Sequence, residues 1–168
     1  MVIWFIGLSG AGKTTLANQV FAMLKKKTKN VVLIDGDVIR EIFSNDLGHT
    51  IDDRRKNAER ISALCKFLDE QDINVVCSIL SLFPDNREWN RRHISRYYEV
   101  FIDTPMEQLV QRDVKGLYKQ YLDGDLKNLP GLDIDFPIPE APDLRILNDS
   151  DLDALLLHAD QLVALFGQ

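Results

Sequence analysis

The stretch Gly7-Leu8-Ser9-Gly10-Ala11-Gly12-Lys13-Thr14 matches the phosphate-binding pattern G-x-x-x-x-G-K-[ST] at every fixed position. It follows an apolar run, residues 2–6, that is short enough for a buried strand. Residues 15–24 come next, with apolar side chains at positions 16, 17, 20, 21 and 24, which is the spacing of a helix with one buried face. Strand, glycine-rich loop and helix therefore occur in the order that a phosphate-binding loop requires.

This loop predicts that the chain binds ATP together with Mg²⁺. Glycines let the backbone curl so that its N–H groups face phosphate oxygens, and the start of the helix adds a favourable dipole. In such loops the lysine reaches the β- and γ-phosphates, and the next residue offers its hydroxyl to Mg²⁺. The alternative, a glycine-rich turn without a ligand, does not explain the flanking strand and helix. We assign Mg²⁺ to Thr14 and nucleotide binding to Gly7, Ser9, Gly10, Ala11, Gly12, Lys13, Thr14 and Thr15.

The 168 residues are ordinary in composition, with 45% hydrophobic and 27% charged residues, and predict one domain over 1–168. The net charge of −6 argues against a broad nucleic-acid-binding surface. Cys65 and Cys77 fall in a helical and a strand pattern, so we expect buried, unpaired thiols. No apolar run approaches a membrane span, and because the given sequence opens on the first strand we expect no signal peptide. These features favour a cytoplasmic protein that binds neither membranes nor nucleic acid.

Strand and helix patterns alternate along the whole chain. After the first strand, further segments have the apolar pattern of buried strands, at residues 31–34, 73–80, 98–103 and 144–147. Helical patterns lie between and after them, at residues 38–43, 51–70 and 87–96, from Thr104-Pro105 onward, and at 151–166. This alternation predicts an α/β fold with a five-stranded, mostly parallel sheet and helices on both faces.

Two aspartates follow the second strand, in Asp35-Gly36-Asp37. In open α/β folds, ligands bind beyond the carboxyl ends of the strands, so both aspartates are expected to face the cleft of the phosphate loop. The alternative for Asp37 is an ordinary helix N-cap. A cap accounts for one aspartate at this position and leaves the other unexplained.

A long stretch without clear periodicity, residues 123–142, is rich in Gly, Pro and Asp. Irregular loops of this length in compact domains are usually functional or disordered. Because basic residues precede it, we expect this stretch to belong to a lid, approximately residues 112–142, that closes over the substrate.

Three observations narrow the class of reaction that the chain can catalyse. The guanine-reading motif N-K-x-D is absent, which argues against a GTPase. The strand at 73–80 ends without the carboxylate that motor-type ATPases use for Mg²⁺, and the acids follow the strand at 31–34 instead. An aspartate there can orient an acceptor hydroxyl and take up its proton, while Lys13, Mg²⁺ and lid cations offset charge on the transferring group. The residues predict phosphoryl transfer to a small hydroxylated molecule, with a nucleotide hydrolase and a non-enzymatic nucleotide sensor as alternatives.

The chain resembles the adenylyl-sulfate kinases over nearly its whole length. Members of this family use MgATP to phosphorylate the ribose 3′-hydroxyl of adenosine 5′-phosphosulfate. Besides the phosphate loop, the resemblance is carried by Asp35-Gly36-Asp37-Val38-Ile39-Arg40, Asp53-Arg54 with Asn57, Val100-Phe101-Ile102-Asp103-Thr104-Pro105, Arg112-Asp113-Val114-Lys115-Gly116-Leu117-Tyr118, and Gly124-Asp125-Leu126-Lys127-Asn128.

The resemblance implies a P-loop kinase fold, a homodimer and a role for each matching residue. Asp37 would be the base toward the 3′-hydroxyl, with Asp35 close by and Lys13 at the phosphates. Arg112 would lie near the ATP. The acceptor nucleotide would be bound by Asp37, Arg40, Arg54, Asn57, Ser81 and Leu82, and by the lid residues Lys115 and Lys127.

Several departures from the family pattern concern the acceptor. The family's Gly-Phe-Ser is Gly48-His49-Thr50 here, and its Phe-Thr-Gly is Leu129-Pro130-Gly131. In the family those two phenylalanines sandwich the acceptor's adenine, so His49 and Leu129 mark the predicted base pocket. The family's Ile-Ser-Pro-Tyr-Arg appears as Leu80-Ser81-Leu82-Phe83-Pro84, and its arginine pair after the helix asparagine appears as Glu59-Arg60.

Two acceptors are compatible with this pattern. One is adenosine 5′-phosphosulfate in an authentic adenylyl-sulfate kinase of sulfate assimilation, with His49 still stacking on the adenine. The other is cytidine diphosphoramidate, which a related enzyme phosphorylates in capsule phosphoramidate synthesis and which also carries a ribose 3′-hydroxyl. Losing both aromatic faces removes stacking worth roughly 1–3 kcal/mol per base contact. A pyrimidine needs less stacking surface, so the changed pocket slightly favours the cytidine acceptor.

Overall fold

Five parallel strands form one sheet in the computed structural model, which describes residues 1–167. They lie in the order β2-β3-β1-β4-β5, with parallel pairing at every contact. The bounds are β1 (Val2–Ile6), β2 (Val31–Asp35), β3 (Asn74–Ser78), β4 (Tyr97–Asp103) and β5 (Leu144–Leu147). The prediction of a five-stranded, mostly parallel α/β sheet is therefore confirmed.

Helices cover both faces of this sheet. They are α1 (Lys13–Lys25), α2 (Gly36–Ile42), α3 (Ile51–Asp69), α4 (Pro84–His93), α5 (Met106–Arg112), α6 (Leu117–Leu122), α7 (Leu152–Leu156) and α8 (His158–Ala164), with a 3₁₀ turn at Leu165–Gly167. No helix within residues 1–167 is both long enough and apolar enough to cross a membrane.

The central strand β1 is buried on both sides, and its side chains alternate between two cores. Ile3 and Phe5 pack in a cluster with side chains of α1, α5 and α8. Trp4 packs on the opposite face with side chains of α2 and α3. Cys65 and Cys77 lie in this second cluster as buried free thiols, as predicted.

Some predicted helix bounds were wrong for identifiable reasons. The helix predicted at 87–96 is α4, Pro84–His93, because Pro84 starts the helix at its first turn. The helix predicted from Thr104-Pro105 begins at Met106, with Pro105 as its N-cap. The helix predicted over 151–166 is divided at Leu157, although that residue keeps helical backbone angles, φ −58° and ψ −25°.

The parallel strands place several chain segments at one edge of the sheet. The phosphate loop follows β1, the two aspartates follow β2, and Ser78 ends β3 opposite Asp35 in the strand register. Because parallel strands all point the same way, their carboxyl ends meet at this edge. The fold therefore brings together residues that lie far apart in the sequence.

Candidate active site

The phosphate loop requires glycine where the backbone takes left-handed angles. Gly10 has φ 78° and Gly12 has φ 95°, values that side-chain-bearing residues rarely adopt. A Cβ at Gly12 would also lie 2.6 Å from Leu155 Cδ2 of α7. The loop is therefore closely packed against α7 at the point where α1 begins.

Three residues distant in sequence stabilise the loop. Asn148 Nδ2 and Thr104 Oγ1 both donate to the Ala11 carbonyl oxygen, at 3.0 and 3.2 Å. The Tyr118 hydroxyl, on α6, donates to the Ser9 carbonyl oxygen at 2.9 Å. Burial, and then the charge of a neighbouring aspartate, raises the pKa of Tyr118 to about 12, so this hydroxyl keeps its proton. None of these contacts was predicted.

Lys13 lies over its own loop and lines the adjacent cleft. Its Nζ donates to the Leu8 carbonyl oxygen at 2.8 Å. Burial lowers the pKa of Lys13 to about 8, and the positive charge of Lys115 acts in the same direction. The negative charge of a bound triphosphate would favour the protonated form of Lys13 and so raise its pKa.

The Thr14 hydroxyl, Asp35 and Ser78 form a group of oxygen atoms at the start of α1. Thr14 Oγ1 donates to Asp35 Oδ2 at 2.9 Å and lies 3.4 Å from Ser78 Oγ. Mg²⁺ prefers oxygen ligands, and in kinases one or two carboxylates usually share it with substrate phosphates and water. A threonine hydroxyl next to a carboxylate fits this requirement, so this chain's donor set is suited to Mg²⁺ held with ATP.

The two aspartates after β2 have different contacts. Asp35 is the N-cap of α2, since its Oδ1 accepts from the Asp37 backbone N–H at 2.9 Å. The Asp37 carboxylate is exposed and forms an ion pair with Lys115. Partial desolvation in the cleft alone would raise the pKa of Asp37, but the hydrogen bond and charge of Lys115, with help from Lys13, hold it below its usual value. Asp37 is thus an ionised carboxylate at the end of α2 nearest the phosphate loop.

One cleft of about 450 Å³ joins the phosphate loop, the aspartates and the predicted lid. Residues from all three regions line it, so the carboxylate of Asp37 and the phosphate loop face the same space. From the predicted site, the lining includes Ser9, Lys13, Thr14, Asp35, Asp37, Arg40, His49, Arg54, Lys115, Lys127 and Leu129. Asn45, Ser78 and Leu126 also line the cleft and were not predicted.

Two arginines hold the loop between α2 and α3. Arg40, which is buried, donates from Nη1 to the carbonyl oxygens of Leu47 and Gly48, at 3.1 and 2.7 Å. Arg54 donates from Nε to the His49 carbonyl oxygen at 2.9 Å. Burial and then the charges of Arg54 and Arg40 lower the pKa of His49, so its imidazole is neutral at neutral pH.

A smaller cavity of about 80 Å³ opens beside the cleft. It shares Asp37, Arg40, His49 and Arg54 with the cleft, and the predicted acceptor residues Asn57, Ser81 and Leu82 lie on its wall. Asn57 Nδ2 donates to the Gly36 carbonyl oxygen at 3.4 Å. The predicted acceptor residues are thus divided between two connected spaces.

Two aspartates that were not predicted as site residues hold the backbone of the predicted lid. Asp113 accepts from the backbone N–H groups of Tyr118 and Lys119, at 3.0 and 2.9 Å, and so caps α6. Asp133 accepts from the backbone N–H of Asn128 at 2.8 Å and closes the turn that carries Leu129. Leu129 is 3% exposed and packs in the core while it lines the cleft.

Arg112 lies apart from the cleft lining. Its Nη2 donates to Gln108 Oε1 at 2.8 Å and to the Ser150 carbonyl oxygen at 3.0 Å, beside the segment that follows β5. Thr15 is exposed in the first turn of α1. Contacts of either residue with ATP stay predictions.

Known proteins resemble this chain in sequence. The sequence model of the adenylylsulphate kinase family matches residues 1–147. An adenylyl-sulfate kinase of Halothermothrix orenii is 39% identical over 151 residues, which cover 90% of this chain and 82% of that protein. A cytidine diphosphoramidate kinase of Campylobacter jejuni is 40% identical over 150 residues, which cover 88% and 85%.

The fold also matches a solved structure. An adenylyl-sulfate kinase of Mycobacterium tuberculosis, determined in complex with AMPPNP and APS, superposes with a TM-score of 0.89 at 30% identity. The match covers 99% of this chain and 97% of that structure. The sheet, the phosphate loop and the surrounding helices described above thus have the arrangement of a solved kinase.

Proposed function

The chain belongs to the adenylylsulphate kinase family, and from this premise we propose that it transfers the γ-phosphoryl group of ATP to the ribose 3′-hydroxyl of cytidine diphosphoramidate. Membership of the family makes it an ATP-dependent kinase and disfavours the hydrolase and sensor alternatives. The acceptor is proposed from one observation. Where family members have two phenylalanines, the acceptor end of this cleft is lined by His49 and Leu129.

The phosphoryl transfer is supported by Asp37 and the lysines around it. In the proposed reaction the Asp37 carboxylate accepts the proton of the acceptor 3′-hydroxyl as its oxygen bonds to the γ-phosphorus. The bond from that phosphorus to the β,γ-bridging oxygen breaks, and ADP leaves. Lys115, which pairs with Asp37 in the absence of substrate, is released to the phosphoryl oxygens when the hydroxyl takes its place. Lys13 binds the β- and γ-phosphates.

Thr14 and Asp35 are the residues that would hold Mg²⁺ with the triphosphate. When bound, Mg²⁺ neutralises charge on the β- and γ-phosphate oxygens. Asp35 has a second task, since it caps α2 and thereby fixes the backbone from which Asp37 projects.

The proposed base preference depends on the size of the base and on its stacking contacts with His49 and Leu129. His49 contributes one neutral imidazole face, and Leu129 contributes an aliphatic surface that is fixed by core packing. An adenine between them loses stacking of roughly 1–3 kcal/mol for each aromatic face that is absent. A cytosine ring has a smaller surface than an adenine ring, so it loses less stacking free energy.

Adenosine 5′-phosphosulfate is the second candidate acceptor. It is favoured by the likeness to the Mycobacterium tuberculosis enzyme, whose complex contains APS. The identities of 39% and 40% with the two kinds of relative do not separate the acceptors, so the base pocket carries the choice.

Acceptor competition tests the proposal. The protein is incubated with MgATP and, separately, with cytidine diphosphoramidate and adenosine 5′-phosphosulfate, and ADP release is measured. We expect kcat/KM for the cytidine compound to be higher by on the order of tenfold, the value of about one lost stacking contact. Activity with adenosine 5′-phosphosulfate alone would refute the cytidine assignment and support the second candidate. In the same assay, His49→Phe is expected to improve use of the adenine acceptor.

Three further expectations complete the proposal: the homodimer and the pathway rest on the resemblance, and the location rests on the cysteines and the composition of the sequence. We propose that the chain forms a homodimer, that it works in the cytoplasm and that its product serves capsule phosphoramidate synthesis. Light scattering after size exclusion tests the first, because a monomer has a mass of 19.2 kDa and a dimer twice that.

A further inference from the structure

The buried face of α4 is polar. Its three buried residues are Asn86, Arg87 and Asn90. A helix that packs on a domain normally buries apolar side chains instead. Asn86 accepts from the Ser62 hydroxyl of α3 at 3.2 Å, and Asn90 donates to the Tyr97 hydroxyl at 3.5 Å. Because burial itself disfavours polar groups, the hydrogen bonds of this face determine which segments α4 holds in place.

Arg87 is the charged residue of that face. It is 7% exposed, and none of the ion pairs within residues 1–167 includes it. Glu99 is near enough to act on its charge, but the Glu99 oxygens accept from the Tyr97 hydroxyl and pair with Arg91, each at 3.1 Å. A buried charge without a counter-ion is costly unless it is hydrogen-bonded. The contacts of Arg87 with uncharged groups are therefore important.

These contacts are two carbonyl oxygens from distant segments. Arg87 Nη1 donates to the Ser81 carbonyl oxygen at 2.8 Å, and Nη2 lies 3.4 Å from the Pro137 carbonyl oxygen, to which it donates. Ser81 follows β3, and Pro137 lies near the C-terminal end of the predicted lid. Hydrogen bonds from a charged donor are stronger than those between neutral groups. One guanidinium thus joins the segment after β3 to the lid.

Ser81 needs this support because its backbone is strained. It has φ 56°, a left-handed value, and it is 4% exposed. Its hydroxyl oxygen also accepts from Trp4 Nε1 at 3.1 Å. Strained residues persist where the surrounding structure over-determines them. Ser81 and Leu82 line the small cavity beside the cleft, so the position of this wall depends on Arg87.

We infer that Arg87 is a positioning residue for acceptor binding, because it holds Ser81 and the end of the lid together. Among residues 1–167, the linings of the cleft and of the small cavity do not include Arg87, so it acts through the segments that it holds. The inference rests on the proposed function for the reaction, but it is independent of which of the two acceptors is used. The apparent affinity for a ligand falls with the fraction of molecules in the competent arrangement.

Arg87→Met tests this role, since methionine keeps an unbranched stem and removes the guanidinium. The acceptor is whichever of cytidine diphosphoramidate and adenosine 5′-phosphosulfate the wild-type protein phosphorylates. We expect KM for the acceptor to rise by on the order of tenfold, the value of one lost charge-assisted hydrogen bond. KM for ATP and kcat at saturating acceptor should change little. Arg87→Lys, which keeps the charge and can donate to one carbonyl at a time, should recover part of the loss.

Arg91→Met is the matched control on the same helix. Arg91 also donates to a carbonyl oxygen after the lid, that of Ala141 at 3.5 Å, but it does not contact Ser81. KM for the acceptor should therefore stay near its wild-type value in this variant. Binding of an ATP analogue checks that every variant is folded.

Trp4 provides a spectroscopic readout of Ser81 that does not depend on the acceptor. The sequence contains two tryptophans, so Trp89→Phe leaves Trp4 as the only one. In this background, Arg87→Met should shift the fluorescence emission of Trp4, because displacement of Ser81 disturbs the hydrogen bond of the indole. Arg91→Met should leave the emission unchanged.

The outcomes separate this inference from the proposed function. Equal increases in KM for ATP and for the acceptor in Arg87→Met, or no increase for the acceptor, overturn the inference. An unchanged emission of Trp4 in that variant overturns it as well, whichever acceptor is used. If the protein phosphorylates only adenosine 5′-phosphosulfate, the cytidine proposal fails, and a selective increase in KM for that compound still supports the role of Arg87.

Discussion

Asp37 is the side chain on which the proposed chemistry depends most directly. Asp37→Asn keeps the shape of the carboxylate but cannot accept the proton of the acceptor hydroxyl. Removing a general base typically costs 10²–10⁴-fold, so we expect kcat to fall by about that factor. Affinity for an ATP analogue, measured by calorimetry, should change little. Glu41→Gln is the control, since Glu41 also lines the cleft and has no assigned part in the reaction. A variant that lost nucleotide affinity and kept kcat would contradict the role of Asp37.

Nucleotide binding should be coupled to the uptake of a proton by Lys13. Its pKa is about 8 in the free protein, so above that pH much of the side chain is neutral. A triphosphate favours the charged form and raises the pKa, so binding takes up protons at about pH 9 and weakens as the pH rises. Calorimetry in two buffers with different ionisation enthalpies measures the uptake.

Lys13→Arg is the matched control, because arginine is already charged at that pH. Its binding should proceed without proton uptake. Equal uptake in the wild-type and arginine proteins would assign the protons to another group.

Residues of the phosphate loop could be predicted because their pattern is local. Its supporting contacts could not, since Asn148 and Ala11 are separated by 137 positions and Tyr118 and Ser9 by 109. The different tasks of Asp35 and Asp37 also depend on the backbone at the junction where β2 ends and α2 begins. The sequence indicates that two acids lie there, and only the backbone geometry shows which one caps the helix.

At the level of elements, α6 lies in the predicted lid and contacts the phosphate loop. Asp113 caps it, and the hydroxyl of Tyr118 reaches the Ser9 carbonyl oxygen. Asp113→Ala removes the cap, which costs about 1 kcal/mol and should speed amide hydrogen exchange in α6 about fivefold. KM for ATP should rise as well. Asp123→Ala, at the other end of the helix, is the control and should change neither quantity.

The buried strands were predicted best, because their apolar runs are short and have clear ends. Helix α6 was missed because its six residues span less than two turns and show no clear periodicity. The predicted start of α4 was three residues too late, because proline is unfavourable inside a helix but well suited to its first turn.

For the whole molecule, nucleotide binding should raise thermal stability, because the cleft joins segments from both halves of the sequence. An ATP analogue at one hundred times its Kd stabilises a protein by about 2.7 kcal/mol. For a chain of this size, that corresponds to roughly 5–10 °C in Tm by scanning calorimetry. Lys13→Ala should lose most of the shift. Lys26→Ala, a change next to the C-terminal end of α1, should keep it, and a loss there would indicate non-specific binding.

The fold class and the number of strands could be predicted from the alternation of strand and helix patterns, whereas the strand order β2-β3-β1-β4-β5 is known only from the structure. The acceptor end of the cleft could not be predicted from these patterns. It is assembled from the loop before α3, the segment after β3 and the lid, and irregular segments have no periodicity from which to place them.

The contacts of Arg54 limit how substitutions can alter the base preference of this enzyme. One guanidinium donates to the His49 carbonyl oxygen and, through Nη2, to the Asn128 carbonyl oxygen, which precedes Leu129. The two walls of the proposed base pocket are therefore held by the same arginine side chain, and we expect a substitution that displaces one wall to shift the other. Variant libraries that aim at a new base should randomise positions 49 and 129 jointly, because improvements found at either position alone will not combine additively.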